Sequence, residues 1–153
     1  MPASPIEIVG EWLQNLLDPD VVNRVVAPDA TYVSLNTENP ELNEIMPWAG
    51  TSHGPKAFLD NLTTIFARWE NEAFNVTTMF ASDENVAVFG DFRYRSHSLG
   101  KVASSPFSIL AKVVDGKVTY LQFLEDSYAT ASSFRKSGSW TIQTEPGAEP
   151  FEV

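Results

Sequence analysis

The chain has 153 residues, of which 20 are acidic, 10 are basic and none is cysteine. This length is typical of one domain with its own hydrophobic core. The formal charge of −10 argues against nucleic acid and against an anionic membrane surface as partners, because both bind basic surfaces. Without cysteine, disulfides, thiolate nucleophiles and cysteine-ligated metals are excluded.

The N-terminal residues lack the features of an export signal. No basic segment precedes a long apolar one, as a signal peptide would require. No stretch approaches the ~20 consecutive apolar residues of a membrane-spanning helix. We therefore expect a cytoplasmic protein without a membrane partner.

The first half of the chain has the patterns of helices around one strand. Ser4-Pro5 is typical of a helix start, because a hydroxyl caps the helix and proline suits its first position. Apolar residues then recur at helical spacing, namely Ile6, Val9, Leu13 and Leu16. A short second helix, a strand over residues 31–35, a polar loop over residues 36–46 and a third helix from Gly54-Pro55 complete this half.

The second half has the patterns of strands. Four segments, over residues 74–81, 85–97, 102–114 and 117–124, are predicted as strands, and Asp115-Gly116 is a strong hairpin signal. A short helix over residues 127–134 follows. Helices followed by antiparallel strands predict an α+β fold. We expect one domain over residues 1–135 and a tail over residues 136–153 that packs on this domain or on a dimer partner.

Several motifs, in their order and spacing, resemble the NTF2-like superfamily and, within it, the SnoaL-like polyketide cyclases and ketosteroid isomerase-like proteins. They are Ala27-Pro-Asp-Ala-Thr-Tyr32, Trp48-Ala-Gly50, Gly54-Pro-Lys-Ala-Phe58, Pro106-Phe107, Val113-Val-Asp-Gly-Lys117 and Phe123-Leu-Glu-Asp126. The resemblance implies an NTF2-like cone, a curved antiparallel sheet with a mixed edge and three helices of the N-terminal half over its concave face. The superfamily contains isomerases, cyclases, dehydratases, epoxide hydrolases and binders without activity, so the fold alone does not fix a reaction.

Two positions depart from the ketosteroid isomerases. The resemblance places Ser34 where those enzymes have the aspartate base, and Ser108 where they have the protonated aspartate of the oxyanion hole. A serine hydroxyl is no base near neutral pH unless another group activates it. Ketosteroid isomerisation by that mechanism is therefore not expected.

Two adjacent carboxylates remain as acid/base candidates. The resemblance to SnoaL-like cyclases implies Asp126, which follows the last strand. Strand alternation instead favours Glu125, because it shares a face with Leu121 and Phe123. Asp126 also has the sequence position of a helix cap before Ser127. We keep both carboxylates as catalytic candidates at this stage.

His97, near the end of a strand, is a third catalytic candidate, as a proton shuttle or polarising group; Tyr94 and Ser108 are other polarising candidates. His97 and His53 are the only histidines and lack metal-ligand spacing. No phosphate loop or dinucleotide fingerprint is present. We expect neither a metal nor a cofactor.

The candidate ligand-binding residues are aromatic, apolar or hydroxyl-bearing side chains on the strands, the third helix and the segment before it: Tyr32, Ser34, Trp48, Trp69, Phe92, Tyr94, Ser108 and Leu110. Such walls suit a flat, apolar ligand of about ten to twenty heavy atoms.

Apolar residues occur on both faces of the predicted strands. Phe107 and Ile109 share one face, and Leu110 and Val114 share the other. Because a sheet buried on both faces needs a second cover, we expect a homodimer. The function expected from the sequence is binding of a small apolar molecule, with cofactor-free isomerase, cyclase or hydrolase chemistry; the alternative is a binding or dimerisation module without activity.

Overall fold

The computed structural model describes residues 2–153 as a mixed sheet covered by helices. In chain order the elements are α1 (Pro5–Gln14), α2 (Pro19–Val25), β1 (Val26–Ser34), α3 (Pro40–Ile45), β2 (Gly50–His53), α4 (Gly54–Arg68), β3 (Trp69–Ser82), β4 (Asn85–Ser96), β5 (Val102–Val114), β6 (Lys117–Glu125), α5 (Ser127–Ser132), β7 (Thr141–Ile142) and β8 (Phe151–Glu152).

Side-chain caps mark the starts of α1, α2, α3 and α5. At α1, Ser4 Oγ accepts the Glu7 N–H at 3.4 Å, and the Glu7 carboxylate accepts the Ser4 N–H at 2.7 Å, which is a capping box. At α3, the Asn39 side chain accepts the Leu42 N–H at 3.0 Å, and Pro40 follows. The prediction of a loop here was wrong, because a cap and a proline start a short helix even without an apolar stripe.

The sheet of six strands has the order β2-β1-β6-β5-β4-β3. Strand β1 runs parallel to β6 and antiparallel to β2, and every other neighbouring pair is antiparallel. This confirms the α+β fold and the mixed edge. Strand β1 begins at Val26 and β3 at Trp69, five residues earlier in each case than the predicted 31 and 74.

The long strands are bent. The register of β3 against β4 shifts between Asn71 and Ala73 and again between Val76 and Thr78, and such bulges bend a strand. Gly90 of β4 lies opposite Val76. A Cβ atom on Gly90 would lie 2.0 Å from the Asn75 carbonyl oxygen and 2.6 Å from the Phe107 ring. Only glycine permits this close approach.

Two helices cover the concave face of the bent sheet. Helix α1 contacts β3, β4, β5 and β6, and α4 packs mainly on β1. Trp12 of α1 meets Phe58 of α4 edge to face, with ring centroids 6.0 Å apart, and Phe58 meets Tyr32 of β1 in the same way at 4.9 Å. The core therefore lies between these helices and the concave face.

The tail forms a small hairpin from β7 and β8. The Trp140 ring meets the Tyr128 ring of α5 edge to face at 5.4 Å, and Trp140 and Val153 exchange both backbone hydrogen bonds. The contact with α5 places the hairpin beside the last helix. Across residues 2–153, no helix has both the length and the apolar character to span a membrane.

The close approach at Gly90 predicts that Gly90→Ala lowers the free energy of unfolding by about 3 kcal/mol, because the added methyl group would meet backbone. Urea denaturation measures this change. Gly10→Ala is the matched control. A Cβ there meets only the Met79 side chain at 4.0 Å, and alanine is the better helix former by about 1 kcal/mol. A Gly90→Ala protein with the wild-type urea midpoint would contradict this account of the bend.

Candidate functional site

A hollow lies between helices α1 and α4 and the concave face of the sheet. Its walls are mainly aromatic and aliphatic, with few polar groups. The lining residues are Trp12, Leu13, Leu16, Tyr32, Ser34, Leu62, Ile65, Trp69, Phe74, Phe92, Tyr94, Ile109, Phe123 and Glu125. An apolar cleft with a few convergent polar groups is the usual form of a small-molecule site.

The hollow is narrow. The space open to the centres of water molecules is about 30 Å³, whereas one water needs about 10–15 Å³. The closed hollow therefore holds only a few waters at most. A ligand of about ten to twenty heavy atoms, as expected from the sequence, does not fit unless wall side chains move. Leu13, Leu16 and Ile65 are half-buried wall residues and are suited to such movement.

Glu125 is the carboxylate of this hollow. It is the last residue of β6 and pairs with Phe107 of β5, so strand alternation turns it to the concave face with Leu121 and Phe123. Its Oε2 atom is inaccessible to water and has no hydrogen-bond partner within residues 2–153. Burial raises the pKa of Glu125 to about 7; the Thr130 hydroxyl lowers this pKa and the charge of Asp126 raises it further.

Two tyrosines share the hollow with Glu125. Tyr32 and Tyr94 are both buried. Burial raises the pKa of each phenol well above its ordinary value, and the charge of Glu125 raises each pKa further. Both phenols therefore stay neutral near pH 7 and keep their O–H donors.

Asp126 lies outside the hollow. It is exposed, its carboxylate accepts the Ala129 N–H at 3.1 Å, and it caps α5. Its own N–H donates to Ser105 Oγ at 2.8 Å. Because β6 ends at Glu125, the next side chain does not face the sheet interior, and of the two adjacent carboxylates only Glu125 lines the hollow.

The two serines at the positions of the isomerase carboxylates lie on opposite faces of the sheet. Ser34 is buried and lines the hollow. Ser108 and Leu110 lie on the opposite, convex face of β5, because Phe107 and Ile109 occupy the concave positions of that strand. Ser108 is half-buried and Leu110 is exposed. Neither is a wall residue of the hollow.

The remaining sequence candidates also divide. Phe92 and Trp69 line the hollow, and the Trp69 Nε1–H donates to Ser133 Oγ at 2.9 Å. Trp48 is buried against Trp69 and lies behind the wall. His97 is exposed beyond the end of β4, where its backbone N–H donates to the Arg68 backbone carbonyl. Its side chain is not part of the wall of the hollow.

Sequence reasoning missed Trp12 as a site residue. Its position on the apolar stripe of α1 indicated only that it faces the core. In the structure its Nε1 atom is buried in the hollow wall without a hydrogen-bond partner in the described chain. No pattern in the sequence distinguishes such an indole from a plain core tryptophan.

No three histidine, aspartate or glutamate side chains cluster closely enough to hold a metal ion anywhere in residues 2–153. The polar groups of the hollow residues are one carboxyl, two phenols, one serine hydroxyl and two indole N–H groups, of which that of Trp69 already donates to Ser133. This set can exchange one proton and donate hydrogen bonds to a guest.

The sequence profile of the SnoaL-like domain matches residues 13–121. This chain belongs to the SnoaL-like family. The match confirms the resemblance drawn from the motifs.

The chain is similar in sequence to one curated protein and in fold to two solved structures. It is 38% identical over 141 residues to patulin synthesis protein F of Aspergillus clavatus, and this alignment covers 89% of this chain and 71% of that protein. An NTF2-like protein from Burkholderia xenovorans superposes with a TM-score of 0.75 at 22% identity, over 86% of this chain and 95% of that one. TerC, co-crystallised with polyporic acid, superposes with a TM-score of 0.71 at 21% identity, over 86% and 98%. The two solved structures show the shared fold alone.

The raised pKa of Glu125 predicts a pH dependence of stability. The folded protein favours the protonated acid, so this contribution is complete below about pH 4.5 and is lost as the pH rises through about 7. A change of this size corresponds to on the order of 3 kcal/mol. We expect Glu125→Gln to remove this loss and to be more stable than the wild type at pH 8.

Urea denaturation at pH 5.5 and pH 8 measures the larger part of this loss, about 2 kcal/mol, in the wild type and should show none of it in Glu125→Gln. The control is Glu38→Gln, which removes an exposed carboxylate and should keep the wild-type difference between the two pH values. If the free energy of unfolding changes by the same amount between the two pH values in Glu125→Gln and in Glu38→Gln, Glu125 is not a buried acid.

Proposed function

We propose that this protein is a cofactor-free proton-transfer enzyme that acts on a small, mainly apolar molecule in the hollow, with Glu125 as the acid/base. The observation that carries the proposal is the Glu125 carboxyl, whose buried Oε2 has no partner in the described structure and whose pKa is raised to about 7. A group with this pKa is present in both protonation states near neutral pH, as general acid–base catalysis requires.

The reaction class follows from the groups in the hollow. The Glu125 carboxylate takes a proton from a carbon next to a carbonyl group, and the C–H electron pair moves towards the carbonyl oxygen to give an enolate. Neutral donors such as Tyr32 and Tyr94 stabilise that oxygen by hydrogen bonds. The protonated Glu125 then returns the proton to the same carbon or to a conjugated one, so no oxidant or cofactor is consumed.

The relatives support a role in secondary metabolism. Patulin synthesis protein F, by its name, takes part in making patulin, and it shares 38% of the aligned residues with this chain. TerC, of the same fold, was co-crystallised with a small organic molecule, polyporic acid. We infer that this chain modifies an intermediate of a secondary metabolite.

A second function, ligand binding without turnover, is favoured by one observation. The hollow is narrow and its polar groups are few, and the positions expected to carry the isomerase carboxylates are serines, of which only Ser34 reaches the hollow. A binding module would use the same walls but would not need Glu125 to exchange protons.

We also propose a homodimer formed through the convex face of the sheet. Four large apolar side chains, the convex patch, are exposed on neighbouring strands of that face: Phe80, Phe89, Leu110 and Leu124. Phe80 and Phe89 stack with centroids 6.1 Å apart. Contiguous exposed apolar surface of this kind is typical of protein interfaces.

Solvent exchange at carbon tests the proton-transfer proposal. With cyclohex-2-enone in D₂O as the probe, we expect the wild-type protein to accelerate deuterium incorporation, measured by mass spectrometry. Glu125→Gln should lower the rate about 100-fold or more, because the general base is lost. Asp126→Asn, the adjacent control, should keep most of the wild-type rate, because the Asp126 charge is the smallest of the influences on the pKa of Glu125. Equal rates in wild type and Glu125→Gln, or no acceleration by the wild type, would favour the binding module.

The convex patch predicts the oligomeric state. Light scattering at micromolar concentration should give twice the chain mass of 16.9 kDa, and Phe89→Asp should give the monomer mass, because a charge in an apolar interface is costly. Leu17→Asp is the control, since Leu17 is similarly exposed on the helical side, and it should remain dimeric. A wild-type monomer would refute the dimer.

A further inference from the structure

Two buried polar atoms of the hollow lack partners. Among residues 2–153, neither the Trp12 Nε1–H nor Glu125 Oε2 has a hydrogen-bond partner, and both residues line the same hollow. Buried polar groups are nearly always hydrogen-bonded, and exceptions call for an explanation. Here the two exceptions belong to residues that line one space, which points to a guest that occupies it.

The other buried tryptophans provide a comparison. Trp69, also in the wall, donates its Nε1–H to Ser133 Oγ at 2.9 Å. The Trp48 Nε1–H is unpartnered in the described chain, but Trp48 lies behind the wall and does not face the hollow. Trp12 is therefore the hollow-lining indole whose donor is left for a guest.

We propose that the Trp12 Nε1–H donates a hydrogen bond to an oxygen acceptor of the guest, and that this contact selects small cyclic carbonyl compounds over hydrocarbons of the same shape. An indole N–H is only a donor, so the atom opposite it must be an acceptor. The proposal deepens the proposed function and rests on it for the carbon acid that Glu125 deprotonates.

The position of the Trp12 ring is fixed by packing. The side chain is 2% exposed, and its ring meets the Phe58 ring edge to face at 6.0 Å. Helix α1, which carries it, contacts four strands of the sheet. A donor held in this way is ordered before the guest arrives, and such preorganisation favours both binding and stabilisation of developing negative charge.

The chemistry of the guest follows from the two groups together. Its carbonyl oxygen accepts from Trp12, and an acidic C–H next to or conjugated with that carbonyl faces Glu125. As the proton moves to the Glu125 carboxylate, negative charge develops on the oxygen that Trp12 contacts. In the closed hollow both atoms are inaccessible to water, so a guest that reaches them supplies hydrogen bonds that are otherwise missing.

The indole N–H signals of the intact protein test the contact. With ¹⁵N-labelled tryptophan, Trp12→Phe identifies the Trp12 signal among the four tryptophans. Titration with cyclohex-2-enone should move the Trp12 indole proton downfield more than it moves those of Trp48, Trp69 and Trp140. Cyclohexene, which has the ring but no oxygen, should leave the Trp12 proton near its free position. Equal movement with both probes would overturn the proposal.

Affinities give the second readout. Trp12→Phe keeps an aromatic ring and removes the N–H, so it should weaken cyclohex-2-enone binding about three- to tenfold and leave cyclohexene binding unchanged. Trp140→Phe, in the exposed tail, should change neither affinity. An unchanged enone affinity in a folded Trp12→Phe protein would refute the contact. If that variant fails to fold, the wild-type titration still decides.

The same titration in Glu125→Gln separates this inference from the proposed function. If the Trp12 proton still shifts in Glu125→Gln, and if deuterium exchange is as fast in Glu125→Gln as in the wild type, the contact is supported and the acid/base role is refuted. If cyclohex-2-enone and cyclohexene move the wild-type Trp12 proton equally, while Glu125→Gln still slows deuterium incorporation, the contact is refuted and the acid/base role is supported.

Discussion

The two-residue alternation of the strands on a sharply bent sheet is the constraint on which the site depends. In β4, in β5 and in β6 from Leu121 to Glu125, every second side chain faces the concave side, where α1 and α4 exclude water. Those positions are apolar or aromatic along most of their length. Glu125 occupies the last inward position of β6, so its carboxyl is enclosed by the same packing that encloses the core. The bend itself requires Gly90, where the backbone of β3 and the Phe107 ring leave no room for a side chain.

Desolvation dominates the electrostatics of the hollow. It is the largest cause of the raised pKa of Glu125, Tyr32 and Tyr94. The three groups also couple, because the charge on Glu125 raises the pKa of both phenols. Ionisation of Glu125 thus makes the phenols still weaker acids and leaves their O–H groups in place as donors. Glu125 can exchange a proton, whereas the two phenols stay neutral and only donate hydrogen bonds. This division of roles suits enolate chemistry.

The sequence predicted the arrangement of strands well and the site in part. Strand alternation alone indicated Glu125 as inward, whereas resemblance to the cyclases favoured Asp126, one residue further, where β6 has already ended. The same alternation put Leu110 on the face of β5 opposite Phe107 and Ile109, but it could not tell which of the two faces is concave, so Ser108 and Leu110 were kept as candidates. The first five residues of β3 were missed, because Glu70 and Glu72 lie among them and a charged edge strand lacks an apolar pattern. The width of the hollow and the unpartnered Trp12 depend on packing between α1, α4 and four strands, which no local pattern encodes.

The narrowness of the hollow and its unpaired polar atoms restrict a guest in two independent ways. Each wall side chain that a larger guest displaces gives up apolar contacts made in the closed state. Leu13 of α1, Leu16 just after it and Ile65 of α4 are half-buried aliphatic wall residues, so growth of the guest is less costly towards them than towards the fully buried wall. A hydrocarbon meets the opposite difficulty, because it leaves the Trp12 Nε1–H and the Glu125 carboxyl without hydrogen bonds. A compact ring that carries one carbonyl oxygen displaces fewer wall side chains than a larger guest and supplies the missing acceptor, and the orientation that pairs its oxygen with Trp12 leaves its acidic C–H for Glu125. Selection of the guest and placement of the proton to be moved thus follow from the same two side chains.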